Sequence, residues 1–309
     1  MILSKNRKIS LLPYIQENVY GLNSRTDQIT GWEINKLKVK DYWEYGMGQG
    51  VKVAVIDSGC DLDHPDLKPN LLNNGYNFID NNDDPSDDNG HGSHVAGTIA
   101  ACNNGLGIVG VAPKAKILPI KSLDAGGGGS LQSVAMGILW AVEQKVDIIT
   151  MSLGCELHSK DFHDVIKFAH SKGILIFCAA GNSGFRKDIM YPARYPETIS
   201  IAAIDSDFNR TDFSCAGKSL DFLAPGHDIL SCIPDDSYAK MSGTSMSNPF
   251  AVGCVALGMS ALKRKFTRKS TIQLYSQHAL SLNDPVFKGK RMYEGNGIIV
   301  PINPNHLHN

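Results

Sequence analysis

The sequence predicts an α/β fold in which helices cover both faces of a doubly wound, mostly parallel sheet, giving three layers. Short β-branched runs alternate along the chain with longer segments whose apolar residues recur at helical spacing. The short runs are apolar at almost every position, as in strands that are buried on both faces. Because parallel strands require crossover connections, this alternation indicates a series of βαβ units.

The predicted elements follow one another at regular intervals. The strands are VKVAVI (51–56), AKILPIK (115–121), VDIITM (146–151), GILIFCAA (173–180) and TISIAAI (198–204). SLQSVAMGILWAVEQ (130–144) and DFHDVIKFAHSK (161–172) have the spacing of amphipathic helices. Without an internal repeat or a Pro- or Ser-rich linker, we expect one domain over 23–309, preceded by an extension over 1–22. Ligands of such sheets bind beyond the carboxyl ends of the strands.

Composition excludes several classes of protein. The formal net charge is −1, so there is no basic excess for nucleic acid, and the basic cluster KRKFTRK (263–269) is expected to be a solvated helix end. Apolar runs stop well short of the roughly 18 residues of a membrane span. Lys5, Arg7 and Lys8 interrupt the N-terminal apolar residues, so no export signal is expected. Seven cysteines without C-x-x-C pairs indicate free thiols in a reducing compartment, and hence the cytoplasm.

Three residues at predicted element ends suggest catalysis. Asp57 follows the strand VKVAVI, His91 opens the helix in NGHGSHVAGTIAA, and Ser245 follows Gly-Thr at the start of another helix. Taken alone, Asp57 would cap a turn and Ser245 would cap a helix. Together, an acid that orients a histidine, a histidine that takes a proton and a serine that attacks a carbonyl perform acyl transfer. His94, one turn further along, is expected in the core or behind the site.

Five sequence blocks carry a resemblance to a known family. VAVIDSGCDLDHPDL, NGHGSHVAGTIAA, MSLG, AAGNSG and GTSMSNP resemble the signature blocks of the subtilisin family, in the same order, over roughly residues 25–300. The resemblance implies a subtilisin-like fold and a serine endopeptidase. It implies that Ser245 is the nucleophile, His91 the general base, and Asp57 the carboxylate that fixes the imidazole tautomer. Asn182 would bind the oxyanion of the tetrahedral intermediate.

The same resemblance implies where polypeptide substrates bind. Ser152, Leu153 and Gly154 match the edge that lines the primary specificity pocket, with Met190 near the base of this pocket. The glycine run 126–129 matches the opposite edge, with Gly127, Gly128 and Gly129 free of side chains that would obstruct a bound strand. An apolar base favours an uncharged side chain in the pocket.

Two cation sites are also implied. The first would bind Ca²⁺ through oxygen atoms; its ligands would be Asp66, Asn104 and the carbonyls of Cys102, Leu106 and Ile108. A second, weaker site would use Ala193, Tyr195, Thr198 and Asp205. The acidic run DDPSDDN (83–89) is expected to be a solvated loop rather than a third site.

The N-terminal segment resembles that of one subfamily. Leu11-Leu12-Pro13-Tyr14 is similar to a Leu-Ile-Pro-Tyr motif in the short extension of the intracellular subtilisins, which lies across the active site. The resemblance therefore implies a self-inhibited zymogen and a homodimer. Pro13 has a fixed φ and no N–H, so it can hold the backbone out of a productive register. Three alternatives remain open: a disordered terminus, a processing protease with a single substrate, and an inactive scaffold.

Overall fold

The computed structural model describes residues 7–21 and 28–305. The predicted boundary of the extension at residue 22 lies outside these ranges. The described strands are β1 (Lys8–Leu11), β2 (Ile15–Gly21), β3 (Lys52–Asp57), β4 (Tyr76–Asn77), β5 (Lys116–Lys121), β6 (Gly128–Ser130), β7 (Ile148–Met151), β8 (Leu153–Gly154), β9 (Leu175–Ala179), β10 (Ile199–Ile204), β11 (Phe222–Pro225), β12 (Ile229–Ile233) and β13 (Ser237–Ser242). The described helices are α1 (Trp32–Lys36), α2 (His91–Ala100), α3 (Leu131–Glu143), α4 (Lys160–Ser171), α5 (Thr244–Leu262), α6 (Arg268–Ser276) and α7 (Arg291–Glu294).

A seven-stranded parallel sheet forms the centre of the fold. Its strand order is β11-β10-β9-β7-β3-β5-β4, and the five strands predicted from the sequence are its middle members. Residues of α2 and α5 pack on one face of the sheet, and residues of α3 and α4 pack on the other. The predicted three-layer, doubly wound α/β fold is confirmed.

Helix α5 is the central helix of the domain and carries Ser245 at its second position. It is long and apolar enough to cross a membrane, but 89% of it is buried within the protein. Its composition therefore reflects burial in a protein core. The helix ends at Leu262, and Lys263 caps it with a left-handed φ of 50°, so the basic cluster begins at a helix end as expected.

Two small antiparallel sheets flank the carboxyl ends of the central strands. One has the order β6-β1-β8 and the other the order β12-β13-β2. Both contain a strand from the N-terminal extension, β1 in the first and β2 in the second. Backbone pairing thus holds the extension on the domain both before residues 12–14, through β1, and after them, through β2.

All seven cysteines are thiols, and all except Cys155 are buried. Burial raises the pKa of the Cys102 thiol to about 11, so this thiol is protonated at neutral pH. The structure agrees with the expectation of free thiols.

Candidate active site

The structure brings Asp57 and His91 into direct contact. Asp57 ends β3, His91 begins α2, and the carboxylate Oδ1 lies 2.8 Å from the imidazole Nδ1. The backbone N–H of Ser58 donates to the same oxygen at 2.8 Å. Both catalytic candidates are completely buried. The pair has the geometry in which a carboxylate fixes the tautomer and orientation of a histidine.

The hydroxyl of Ser245 is not bonded to His91 in this structure. Ser245 Oγ donates to the carbonyl of Ser152 at 3.2 Å, and Ser152 Oγ donates to the carbonyl of Ser245 at 3.0 Å. Within the described residues, His91 Nε2 is buried without a hydrogen-bond partner. The atom that would accept the serine proton is therefore available, while the serine hydroxyl is turned towards the edge of the primary pocket.

Asp87 joins the strand that carries Asp57 to the helix that carries His91, a role that the sequence did not reveal. Its carboxylate accepts bonds from Ser58 Oγ at 2.8 Å, from the N–H and Oγ of Ser93 at 2.9 and 2.6 Å, and from the N–H groups of Asn89 and Gly90 at 3.0 and 2.9 Å. Burial alone would raise the pKa of Asp87, but these hydrogen bonds outweigh it and lower the pKa below its ordinary value. The expectation of a merely solvated acidic loop is wrong at this residue.

His94 lies behind the site, as expected. Its Nε2 donates to the carbonyls of Ile229 and Ala239, at 3.0 and 3.2 Å. Burial, followed by the nearby His91, lowers the pKa of His94 to about 3, so the imidazole is neutral. It joins α2 to β12 and β13 and takes no part in proton transfer.

Asn182 is aimed at a peptide carbonyl. Its Nδ2 donates to the carbonyl of Pro13 at 2.6 Å, while its Oδ1 accepts from the N–H and Oγ1 of Thr244 at 2.9 and 2.8 Å. The two bonds from Thr244 fix the amide so that its oxygen faces the start of α5 and its N–H group faces the Pro13 carbonyl. This is the arrangement of an oxyanion-binding donor.

The two edges predicted to bind substrate enclose β1. Ile9 pairs antiparallel with Gly129 and Ser10 with Gly128, on one side, while Leu11 pairs with Leu153 on the other. Gly127 also accepts the N–H of Leu11 at 2.9 Å. The extension therefore lies between these edges as the middle strand of a three-stranded sheet.

Leu12 enters the predicted primary pocket. Its side chain is 2% exposed. Leu12 and Met190 both lie against Gly154: a Cβ built on that glycine would be 2.9 Å from Leu12 Cδ2 and 3.3 Å from Met190 Cβ. A side chain at position 154 would close the pocket, which explains the need for glycine there.

Carbonyl oxygens converge at the predicted calcium site. The carbonyls of Cys102, Leu106 and Ile108 lie 2.7, 3.1 and 3.0 Å from Nε2 of Gln28, and Asn104 Oδ1 lies 3.4 Å from it. So many oxygens around one point suit a hard cation such as Ca²⁺. Gln28 was missed by the sequence analysis, and no local motif marks it because its partners lie some 75 residues further along the chain.

Asp66 borders the same site. Its Oδ1 accepts from Asn104 Nδ2 at 2.9 Å, and its Oδ2 accepts from Ile108 N–H at 2.9 Å and Tyr238 Oη at 2.8 Å. The carboxylate is thus held beside two of the predicted ligands. The donor set fits calcium: four oxygens, a carboxylate, and a Gln28 amide whose oxygen and nitrogen exchange places by rotation.

The predicted second cation site is wrong in one ligand. Thr198 directly precedes the six-residue strand β10, whereas Asp205 directly follows it, so the two are on the order of 20 Å apart. Asp205 instead closes a turn, where its Oδ1 accepts from the N–H groups of Asp207 and Asn209. Thr198 Oγ1 does lie near the carbonyls of Ala193 and Tyr195, at 3.2 and 2.9 Å.

The positive charge beside Thr198 belongs to the protein itself. Arg268 Nε donates to the Thr198 carbonyl at 2.8 Å, and its terminal nitrogen lies 3.0 and 2.9 Å from the two carboxylate oxygens of Asp221. A guanidinium that bridges a carbonyl and a carboxylate supplies what a bound cation would supply. We therefore assign no metal to this position.

Comparison with known proteins identifies the family of this chain. The sequence profile of the Subtilase family matches residues 48–295. The chain is 42% identical to an "Intracellular serine protease" of Paenibacillus polymyxa over 95% of its own length and 90% of that protein. It is 39% identical to the "Major intracellular serine protease" of Bacillus subtilis, over 98% of its own length and 96% of that protein. It is 44% identical to "Subtilisin E" of the same organism, over 75% of its own length and 62% of that protein. The chain belongs to the subtilase family of serine proteases.

Proposed function

We propose that this subtilase is an endopeptidase that hydrolyses polypeptides through Asp57, His91 and Ser245. His91 takes the proton of Ser245 as its oxygen attacks the carbonyl carbon, and it then donates that proton to the leaving amine. Water hydrolyses the resulting acyl-enzyme by the same proton route in reverse. The observation that carries the proposal is the bond of 2.6 Å between Asn182 Nδ2 and a peptide carbonyl in the cleft. This donor would strengthen its bond as the carbonyl becomes an oxyanion.

The N-terminal extension is proposed to keep the enzyme inactive. In a cleavable peptide, the side chain in the primary pocket and the carbonyl on the oxyanion donor belong to the same residue. Here Leu12 lies against Gly154 and Met190, whereas the carbonyl on Asn182 belongs to Pro13. The offset of one residue supports inhibition without cleavage. Tethering adds an effective concentration on the order of millimolar, so a modest affinity is sufficient.

Calcium is proposed at the oxygen cluster around Gln28. The bound ion would join the loop 102–108 to Asp66 and stabilise the folded chain, and it has no part in the hydrolytic steps. Because the ion would bind the folded state alone, chelation should lower the melting temperature and added calcium should restore it. An Asp66→Asn variant should respond less to both. A parent melting curve that ignores chelator and calcium would exclude the site.

We further propose a cytoplasmic location, supported by the free thiols and by relatives that are named intracellular proteases. The homodimer remains a prediction from the resemblance.

Reaction with a fluorophosphonate tests the catalytic assignment. The full-length chain should react slowly, and the chain that has lost the extension should be labelled on Ser245. Mass spectrometry of the labelled peptide identifies the residue. Label on another serine, or none on processed protein, would contradict the proposal.

A Pro13→Ala variant tests the zymogen. Alanine restores a backbone N–H and frees φ, so the segment should settle into a productive register and be cut near Leu12 to Tyr14 faster than in the parent. Ile15→Ala is the control, because that side chain is 55% exposed and should leave the rate unchanged. Full peptidase activity in an uncut parent would show that the extension does not inhibit.

A further inference from the structure

We propose that β13 is a docking edge for the part of a polypeptide substrate that follows the cleaved bond. The enzyme would then prefer long, extended polypeptides to short peptides, with little regard to the sequence beyond the cleaved bond. This inference rests on the proposed peptidase function and names its substrate class.

The extension shows how such an edge is used. Strand β2 pairs antiparallel with β13 in six registered pairs, from Ile15 opposite Ser242 to Gly21 opposite Ser237, with one irregularity between Ala239 and Lys240. The other side of β13 is occupied by β12 of the domain itself. When the extension leaves, β13 becomes an edge strand with a row of unpaired N–H and C=O groups. Such a row is a template for another extended chain.

The edge is continuous with the catalytic centre. Strand β13 ends at Ser242, three residues before Ser245, and the paired chain runs from Ile15 back to the Pro13 carbonyl on Asn182. A polypeptide paired along β13 would therefore be led directly to the nucleophile. Counting from the residue in the primary pocket, the paired residues are the third to the ninth that follow it.

Side-chain exposure indicates that this edge binds backbone rather than sequence. Ile15 and Val19 are 55% and 61% exposed although both are apolar, and Gln16 and Glu17 are exposed as well. The residues of β2 whose side chains are described thus contribute little burial, which leaves the ladder of main-chain bonds to hold the strand. A ladder accepts almost any sequence, but it requires a chain that is already extended. Unfolded or misfolded polypeptides supply such a segment, whereas compact domains do not.

A series of peptides of increasing length tests the proposal on enzyme that lacks residues 1–22, so that no strand of the extension occupies β13. All peptides carry Ile-Ser-Leu-Leu, the sequence of residues 9–12, before the cleaved bond, followed by two, four, six or nine residues. We expect kcat/KM to rise at least tenfold from the shortest to the longest, because each added pair of residues extends the ladder of main-chain hydrogen bonds to β13. Shuffling the last seven residues should change it less than about threefold. A value that stays flat beyond the second residue would overturn the inference.

N-methylated substrates distinguish a ladder from non-specific contact. Neighbouring amides of a strand point alternately towards and away from its partner, so methylation at only one of two adjacent positions, matching Gln16 and Glu17, should abolish the length effect. Equal losses at both positions would count against pairing with β13. Cleavage of the shortest peptide shows that the peptidase function holds, so a flat series would refute the docking edge alone. Failure to cleave any peptide would instead refute the proposed function.

Discussion

The catalytic centre and the extension that covers it are held in place by different forces. Asp57, His91 and Ser245 are fully buried and lie at the ends of elements that are packed into the core. The extension is held by two antiparallel ladders and by a few buried side chains, of which Ile9 and Leu12 are each 2% exposed. The position of the catalytic residues therefore depends on packing of the core. The extension depends mainly on main-chain hydrogen bonds that water can replace.

This difference separates the residues of the active site from the segment that we propose as their inhibitor. A change in the centre should remove activity without altering how the extension binds. A change in the extension should alter inhibition without altering the chemistry. Asn182 belongs to both regions, because it donates to the extension and would donate to a substrate in the same way.

The largest effect is expected for Ser245→Ala. Loss of the nucleophile should lower kcat roughly a million-fold, a magnitude measured on subtilisin itself, so the purified variant should stay at full length. Ser247→Ala is the matched control, because its hydroxyl is buried near the same helix start without a hydrogen-bond partner among the described residues. Mass spectrometry over time compares self-processing of the two variants. Processing of Ser245→Ala at the parent rate would place the nucleophile elsewhere.

The next largest effect is expected for Asn182→Ala. Removing the donor should lower kcat by about 10²–10³ and leave KM nearly unchanged. This is the magnitude found when the oxyanion-binding asparagine of subtilisin is removed. Thr244→Val removes one of the bonds that hold the amide and should cost at most about tenfold. Steady-state kinetics on processed enzyme separate the two constants. A rise in KM with normal kcat would make Asn182 a substrate-binding residue instead.

A matched pair of isoleucines tests how the extension is held. A peptide of residues 7–21, added to enzyme that lacks residues 1–22, should inhibit it. Ile9→Ala in this peptide should raise the inhibition constant at least thirtyfold, since loss of a buried isoleucine costs about 2 kcal/mol or more. Ile15→Ala, at an exposed position, should change it less than about threefold. Equal effects would contradict the view that side-chain burial holds β1 whereas main-chain hydrogen bonds hold β2.

Sequence reasoning recovered the parts of this molecule that local patterns determine. The five central strands were found because burial on both faces gives unbroken apolar runs such as VKVAVI, and Asp57 stands at the end of one of them. Strand β13 was missed because SYAKMS has neither alternation nor an apolar run, and its partner β2 lies more than 200 residues away. Gln28 and the Arg268–Asp221 pair were missed for the same physical reason. Long-range contacts between single polar residues leave no periodic signal.

An effect on stability, with none expected on activity, concerns a residue of the domain that lies close to the extension in sequence. Glu33 in α1 is 4% exposed, and its Oε2 has no hydrogen-bond partner among the described residues. Burial raises the pKa of Glu33 from 4.5 to about 7, while a bond from its own backbone opposes the shift. Its neighbour Trp32 packs on the same apolar cluster as Tyr14 of the extension.

Because the folded pKa lies above the unfolded one, Glu33 favours folding fully below about pH 4.5, and this contribution is lost as the pH rises through about 7. At pH 8, the free energy of unfolding of Glu33→Gln should therefore exceed that of the parent by up to about 3 kcal/mol, as measured by urea denaturation. The gap should narrow at pH 5, and the exposed Glu17→Gln variant should show none. Both changes belong in a Ser245→Ala background, which prevents self-digestion. Inhibition is measured separately, with Glu33→Gln in active enzyme that lacks residues 1–22. If this change weakened inhibition by the 7–21 peptide, the domain and the extension would be energetically coupled, and the two regions would not be independent.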